Sequence, residues 1–326
     1  MTTPARLLSQ SLSGYLCGTH SGLLRRRRGR RLASHLLSSR IAQLPDALEA
    51  VRCPLGESKW SGGGVRSVRL AARLAQILDD PSVLDLVIFG SEAGGEPTGF
   101  SDLDAILVIS DEAATEPDRL RRLRPRVLAA QRTVLAYQPM QHHGFEVATP
   151  RLLHEAQQAL AMPESALARS RSLFGRGAQA AFTGGFADDA RSALTELCRM
   201  LLDATSWPRH PWELHGMVSM FELAPTLYLQ ARGASVPKWD SFARARGEFG
   251  DMWWPYDVLD EVRSNWPLEK HPLLVLASAA TRNPWVAVDG WRRLPVRAPK
   301  AASSLLTRRC LTGLQRIVRE MQERTG

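Results

Sequence analysis

The sequence predicts an α/β (α+β) protein, in which a small mixed β-sheet with helices is followed by an α-helical C-terminal domain. The main observation is a pair of short apolar runs, Leu84 to Phe89 and Ile106 to Ile109, each bounded by turn residues. Runs of this kind are typical of neighbouring strands. After Pro150 the strand-like runs disappear and helical patterns follow one another. A chain of 326 residues is long enough to form both parts.

These patterns divide the chain into a lead-in, residues 1–50, a sheet domain, residues 51–180, and a helical domain, residues 181–326. The lead-in is basic and expected to be disordered in part, since it has no acidic residue before Asp46 and contains the run Arg25 to Arg28. Such a segment can be an organelle transit peptide, a nucleic-acid-binding arm or a solvated tail. No aromatic residues alternate with its arginines to stack on bases, so we favour the tail.

Apolar spacing predicts the individual elements of the chain. Helices are expected over Ala33–Val51, Val65–Leu78, Asp118–Gln131, Arg151–Ala161, Ala187–Thr205, Trp212–Arg232, Tyr256–Ser264, His271–Thr281 and Ser303–Gln322. Further strands are expected at Thr133 to Tyr137 and at Phe145 to Val147. The Gly-rich stretch from Glu57 to Gly64 is expected to be a linker or a mobile flap. Eight of the nine Trp residues lie at or after Trp207, and core packing is the favoured reason.

Charge and cysteine content narrow the functional classes. The net charge is +9, and only four of the 42 basic residues are Lys. An Arg bias of this kind most often reflects a GC-rich genome, although net positive charge favours anionic partners such as nucleotides or nucleic acid. The four cysteines form no CxxC pair, which argues against a disulfide framework or a zinc site. No apolar run is long enough to span a bilayer, so a cytoplasmic protein without membrane contact is expected.

The chemistry of the chain is expected at the loop between the two apolar runs. Asp102 and Asp104 stand at the start of the second strand, where residues i and i+2 face the same side. Two adjacent carboxylates repel unless a cation lies between them, and Mg²⁺ typically takes one or two carboxylates together with substrate phosphates. Gly90 and Ser91, at the end of the first strand, allow a phosphate to approach the backbone and offer a hydroxyl.

These residues resemble the signature of the DNA polymerase β-like nucleotidyltransferase superfamily. The signature is Phe89-Gly90-Ser91, a spacer of ten residues, and then Asp102-Leu103-Asp104-Ala105. The resemblance implies a nucleotidyltransferase-type mixed sheet and a third carboxylate on a later strand, for which Phe145-Glu146-Val147 is suited. It also implies that Ser172 to Gly175 is the turn that closes the catalytic sheet. The alternative is a surface hairpin whose aspartates are solvated, and it does not explain the spacing of these residues.

A second resemblance concerns the helical domain. Aminoglycoside adenylyltransferases and related minimal nucleotidyltransferases carry a Tyr, a Gly and then a Ser-Lys pair that begins a helix, and the Lys reaches the triphosphate. Here the order is Tyr228, Gly233, Ser235 and Lys238, with Val236 and Pro237 inside the pair. The match is partial. It implies that Lys238 contacts a phosphate; the alternative is a surface cation.

The resemblance implies a Mg²⁺-dependent nucleotidyltransferase. Asp102, Asp104 and Glu146 would be catalytic residues and would hold two Mg²⁺ ions, with Glu146 also a general base. Gly90, Ser91 and Lys238 would bind the NTP, for which ATP is the first expectation. The acceptor would be a hydroxyl of a small molecule or protein. Alternatives are an RNA or cyclic-oligonucleotide nucleotidyltransferase, for which no RNA-binding module is visible, and an inactive antitoxin-like binding partner. The sequence leaves the acceptor and the oligomeric state open.

Overall fold

A computed structural model describes most of the chain. Its described residues are 4–18, 27–42, 52–56, 58–60, 65–94, 98–141, 143–154, 156–160, 162–167, 169–182, 186–267 and 272–326. The strands are β1 (Arg52–Leu55), β2 (Ser58–Lys59), β3 (Val83–Phe89), β4 (Asp104–Ile109), β5 (Glu146–Ala148), β6 (Arg171–Ser172) and β7 (Ala178–Ala181). The helices before β7 are α1 (Pro4–Cys17), α2 (Arg27–Ala42), α3 (Val65–Leu78), α4 (Gly90–Gly94), α5 (Asp111–Thr115), α6 (Pro117–Tyr137), α7 (Pro150–Leu153) and α8 (Ala156–Leu160). The later helices are α9 (Ala187–Leu202), α10 (Pro211–Ala231), α11 (Lys238–Phe249), α12 (Trp254–Ser264), α13 (Pro272–Ala280), α14 (Pro284–Trp291), α15 (Lys300–Leu305) and α16 (Arg308–Glu323).

The described strands form a five-stranded mixed sheet and a separate pair. The order in the sheet is β2-β6-β3-β4-β5, and β1 pairs with β7. Strand β3 is antiparallel to β4, whereas β5 is parallel to β4 and pairs Glu146 with Ile106. Consecutive residues Leu86, Val87 and Ile88 are all fully buried, so both faces of the sheet are covered. The small mixed sheet and its helices agree with the α+β class predicted from the two apolar runs.

The segment expected to be a basic lead-in differs from that expectation, because α1 is part of the sheet domain. Leu12 and Leu16 of this helix have no exposed surface. The Ser9 hydroxyl donates to the carbonyl oxygen of Val147 at 2.9 Å, and the Ser13 hydroxyl accepts from the Val147 N–H at 2.7 Å. Helix α1 therefore covers the outer edge of β5 and satisfies its backbone groups, which protects the edge strand. Helix α2 ends at Ala42, and the rest of the helix predicted to Val51 lies outside the described residues.

Two further predictions for the sheet domain were wrong in part. The strand expected at Thr133 to Tyr137 is the last part of α6, where Val127 and Val134 continue one buried face at helical spacing. The stretch expected to be a linker or flap contains β2, and Trp60 after it is buried, with its backbone N–H donating to the carbonyl oxygen of Ser172. Cross-strand pairing with a distant segment, invisible in local composition, makes this stretch a strand. Residues 61–64 lie outside the described part of the chain.

The helical domain contains the five helices predicted after residue 186, each within about five residues of its expected bounds. The predicted segment Arg151–Ala161, in the sheet domain, is divided into α7 and α8. Helices α11, α14 and α15 were not predicted as separate helices. The domain has its own core, in which Trp212, Trp253, Trp266, Trp285 and Trp291 are buried. This supports core packing as the reason for the many Trp residues. None of the helices in the described part of the chain combines the length and the apolar character that crossing a membrane needs.

Candidate functional site

A cavity of about 820 Å³ opens between the sheet domain and the helical domain. Its wall on the sheet side includes Gly90, Ser91, Asp102 and Asp104, and its wall on the helical side includes Lys238. The structure therefore brings together five of the six residues predicted for the site, although Lys238 is separated from Asp104 by more than a hundred positions in the sequence. A cleft lined by convergent polar groups between two domains is the usual setting of a ligand site.

Asp104 lies at the start of β4, and Asp102 lies two residues before it. Asp104 is the first residue of the strand, both carboxylates are half-buried, and Leu103 between them is buried. The Gln141 side chain holds Leu103 at two points. Its Oε1 accepts from the Leu103 N–H at 2.8 Å and its Nε2 donates to the Leu103 carbonyl oxygen at 3.1 Å. This pair of bonds fixes the backbone from which the two carboxylates project.

Gly90 begins the short helix α4 and has a φ of 69°. The antiparallel register sets its neighbour Phe89 opposite Asp104. A Cβ at position 90 would lie 2.5 Å from Oδ2 of Asp104, closer than atoms can pack. Glycine is therefore required both by its backbone conformation and by the approach of the carboxylate. Ser91 follows it on the wall of the cavity.

His143 contacts Asp104 directly. Its Nε2 lies 3.0 Å from Oδ1 of Asp104, and Nδ1 lies 2.9 Å from the carbonyl oxygen of Gly144. Burial opposes the charged imidazolium, but the hydrogen bond to Asp104 and the charges of Asp104 and Asp102 outweigh it and raise the pKa of His143 to about 10. The imidazolium thus partly balances the carboxylate pair. The adjacent His142 lies outside the described residues.

Glu146, the expected third carboxylate, occupies a different position from the aspartate pair. It pairs with Ile106, two residues beyond Asp104, which corresponds to roughly 6.6 Å along the strand. It is half-buried and is not among the residues that line the cavity. Burial raises the pKa of the Glu146 carboxyl, an effect that the charges of His143 and Arg6 partly offset. The register of β5 thus places this carboxyl beside the site, and its roles as a ligand and general base stay predictions.

Lys238 is the first residue of α11 and is partly exposed on the cavity wall. Its Nζ lies 3.3 Å from Oε2 of Glu222, whose side chain is only 2% exposed. Because the ammonium group neutralises a buried carboxylate, Lys238 has a structural partner as well as access to the cavity. Tyr228, from the same partial resemblance, is buried and donates to Glu248 at 2.6 Å.

The donor set determines what kind of ion the site suits. Among the described residues there is no group of three or more His, Cys, Asp and Glu side chains that could hold a metal ion. Glu146 stands further along the sheet than the aspartate pair, and its part in a three-carboxylate set stays a prediction. Asp102 and Asp104 remain as two oxygen donors on one cavity. That set fits Mg²⁺ held jointly by protein and ligand phosphates, since Mg²⁺ usually takes one or two carboxylates in such sites.

Sequence reasoning missed several residues that shape the site. Arg6 of α1 lines the cavity from the segment that was expected to be a tail. Gln141 and His215 hold the backbone around the aspartates. These residues carry no spacing signal, because each reaches the site from a separate element.

Comparisons of the chain with protein-family models, with curated proteins and with solved structures found no match.

Proposed function

We propose that this protein is a Mg²⁺-dependent nucleotidyltransferase of the DNA polymerase β-like type. It transfers a nucleoside monophosphate from an NTP, with ATP as the first expectation, to a hydroxyl of a small molecule or protein and releases pyrophosphate. The observation that carries the proposal is the packing of Gly90 against Asp104, with Asp102, Ser91 and Lys238 on the same cavity. This arrangement joins a carboxylate pair to a backbone that a phosphate can approach.

The topology of the sheet supports the nucleotidyltransferase-type fold within this proposal. The Gly-Ser strand β3 is antiparallel to β4, which carries Asp104, and β5 with Glu146 runs parallel to β4. Gly90 and Ser91 thereby lie at the same end of the two strands as Asp102 and Asp104, which is what the proposed signature requires. The helical domain supplies the opposite wall of the cavity.

Each residue has a defined part in the proposed reaction. Asp102 and Asp104 would hold the divalent ions, which supply charge neutralisation at the phosphates and activation of the attacking oxygen. The backbone of Gly90 would face the outer phosphates, and the Ser91 hydroxyl would donate to them. His143 orients the Asp104 carboxylate through its hydrogen bond. Lys238 places positive charge on the opposite wall, and Glu146 is proposed to accept the proton of the acceptor hydroxyl, for which a raised pKa is suited.

A binding experiment tests the proposal before any acceptor is known. The melting temperature is measured with each of the four NTPs and Mg²⁺, for the wild type and for the Asp102→Asn/Asp104→Asn variant, and calorimetry follows any positive result. A ligand that binds the folded state raises the melting temperature. We expect one NTP to bind in a Mg²⁺-dependent manner, and binding to be lost in the folded variant. If the wild type binds no NTP, the proposal fails and the binding-partner alternative takes its place.

A further inference from the structure

The residues that lead into Asp102 are anchored in the helical domain. We call residues 98–103 the Asp102 loop. Within it, Phe100 is 4% exposed and belongs to the apolar core of the helical domain. Its ring stacks on the His215 ring of α10, with centroids 4.0 Å apart and planes 23° apart. Trp266 meets the Phe100 ring edge-on at 5.1 Å. The Phe100 side chain, two residues before Asp102, is therefore enclosed by the helical domain.

A hydrogen bond reinforces this anchor. Nε2 of His215 lies 2.9 Å from the carbonyl oxygen of Phe100. Since a carbonyl oxygen only accepts, Nε2 must carry the proton. His215 is 1% exposed, and its ring also packs against Trp266 at 5.7 Å. Solvent therefore does not compete for this bond, and the imidazole is locked in one orientation by aromatic rings on two sides.

The sheet domain holds the same loop from its other side. Nε2 of Gln138 donates to the carbonyl oxygens of Ser101 at 2.5 Å and Gly99 at 3.2 Å. Gln141 bonds both backbone groups of Leu103. Every one of these contacts falls on the backbone within three residues of Asp102. The carboxylate of Asp102 is thus set by a backbone that both domains constrain.

We propose that His215 is a positioning residue for the metal site. It holds the carbonyl of Phe100, and through it the backbone of Asp102, so that Asp102 and Asp104 are spaced to share a divalent ion. The helical domain then acts on the metal geometry as well as forming the second wall of the cavity. This inference rests on the proposed function, because it assigns His215 to the metal and NTP site described there.

The test compares three variants of the full-length protein. His215→Phe keeps a ring against Phe100 and removes the donor. His215→Asn places its amide near the Nδ1 position, so it also loses the bond, and it serves if the first variant does not fold. His215→Gln extends an amide nitrogen to about the Nε2 position and restores the donor. The matched control is Ile317→Ala in α16, a fully buried position that does not line the cavity.

The readouts are Mn²⁺ binding by electron paramagnetic resonance and the Mg²⁺ concentration needed for half-maximal NTP binding. Loss of a residue that orients a metal ligand typically weakens metal binding by about 10-fold or more. We expect that loss in His215→Phe or His215→Asn, a recovery to within about threefold in His215→Gln, and no such loss in Ile317→Ala at comparable melting temperature.

The outcomes separate the two ideas. If the wild type binds the NTP and Mn²⁺ and the donor-free variants bind them equally well, the inference on His215 is overturned and the proposed function stands. The same holds if Ile317→Ala weakens Mn²⁺ binding as much as His215→Phe, because the effect would then be general destabilisation. If the wild type itself binds neither Mn²⁺ nor an NTP, both the proposed function and this inference fail.

Discussion

Gly90 and Asp104 are in contact across two antiparallel strands, so closely that any side chain at position 90 would occupy the space of the carboxylate. A Cβ there would lie 2.5 Å from Oδ2 of Asp104, and the φ of Gly90 is 69°. This contact links the requirement for Gly at position 90 to the placement of Asp104, a proposed metal ligand. It explains in physical terms why position 90 requires Gly when the residue fourteen positions later is Asp104.

Gly90→Ala should therefore impair both folding and binding. The left-handed backbone costs an L-residue about 1–2 kcal/mol, and the new methyl group must displace the Asp104 carboxylate. We expect this loss in the free energy of unfolding and at least an order-of-magnitude weaker Mg²⁺-dependent NTP binding, measured by urea denaturation and calorimetry. The control is Gly290→Ala, where a Cβ meets no atom within 4 Å. Unchanged binding in Gly90→Ala would contradict the role given to this contact.

Helix α1 should contribute strongly to stability if it belongs to the sheet domain. Leu12 is fully buried, whereas Leu7 on the same helix is 50% exposed. Replacing a buried Leu with Ala typically costs about 2–5 kcal/mol. We expect Leu12→Ala to lose an amount in this range and Leu7→Ala to lose less than about 1 kcal/mol in urea denaturation. Equal stability of the two variants would mean that the segment is a detachable tail.

Ser172 is expected to hold the turn that closes the sheet. Its hydroxyl donates to the buried carboxylate of Asp85 at 2.5 Å and accepts from the N–H groups of Gly175 at 2.7 Å and Arg176 at 3.1 Å. Ser172→Ala takes one donor from the buried Asp85 carboxylate and the acceptor from the two N–H groups, so we expect a loss of about 2 kcal/mol in the free energy of unfolding. The comparison is Ser304→Ala, an exposed serine whose hydroxyl donates within its own helix, with a change below about 0.5 kcal/mol. Similar melting curves for wild type and Ser172→Ala would show that the network contributes little.

Cys17, Cys198 and Cys310, the cysteines whose side chains the structure describes, should be unreactive in the folded protein. Burial raises the pKa of Cys17 well above its ordinary value, that of Cys198 to about 11 and that of Cys310 to about 12. A raised pKa means less thiolate, the reactive form, at any pH below it. In a Cys53→Ser background, we expect a thiol-disulfide reagent at pH 8 to modify no cysteine until denaturant is added, and then three. Rapid modification of the native protein would show that one of these thiols is accessible.

Local pattern was enough for much of the fold and for the centre of the candidate site. Strands β3 and β4, helix α3 and most helices of the helical domain follow from periods of 2 and 3.6 residues, which depend on near neighbours alone. Asp102 and Asp104 share this property, because their common direction is a consequence of their spacing. The presence of the pair on a cavity with Gly90 and Ser91 agrees with that reading.

The sequence by itself thus determined most of the element types and the aspartate pair, whereas the tertiary structure decided what surrounds the pair. Packing brings His143 to Asp104 across 39 positions and His215 to Phe100 across 115. The register of β5 places Glu146 outside the lining of the cavity. The buried face of α1 packs against the sheet domain, so this segment is not the lead-in that was expected. These features depend on which distant elements pack together, and that choice is made by the free energy of the whole core rather than by any local period.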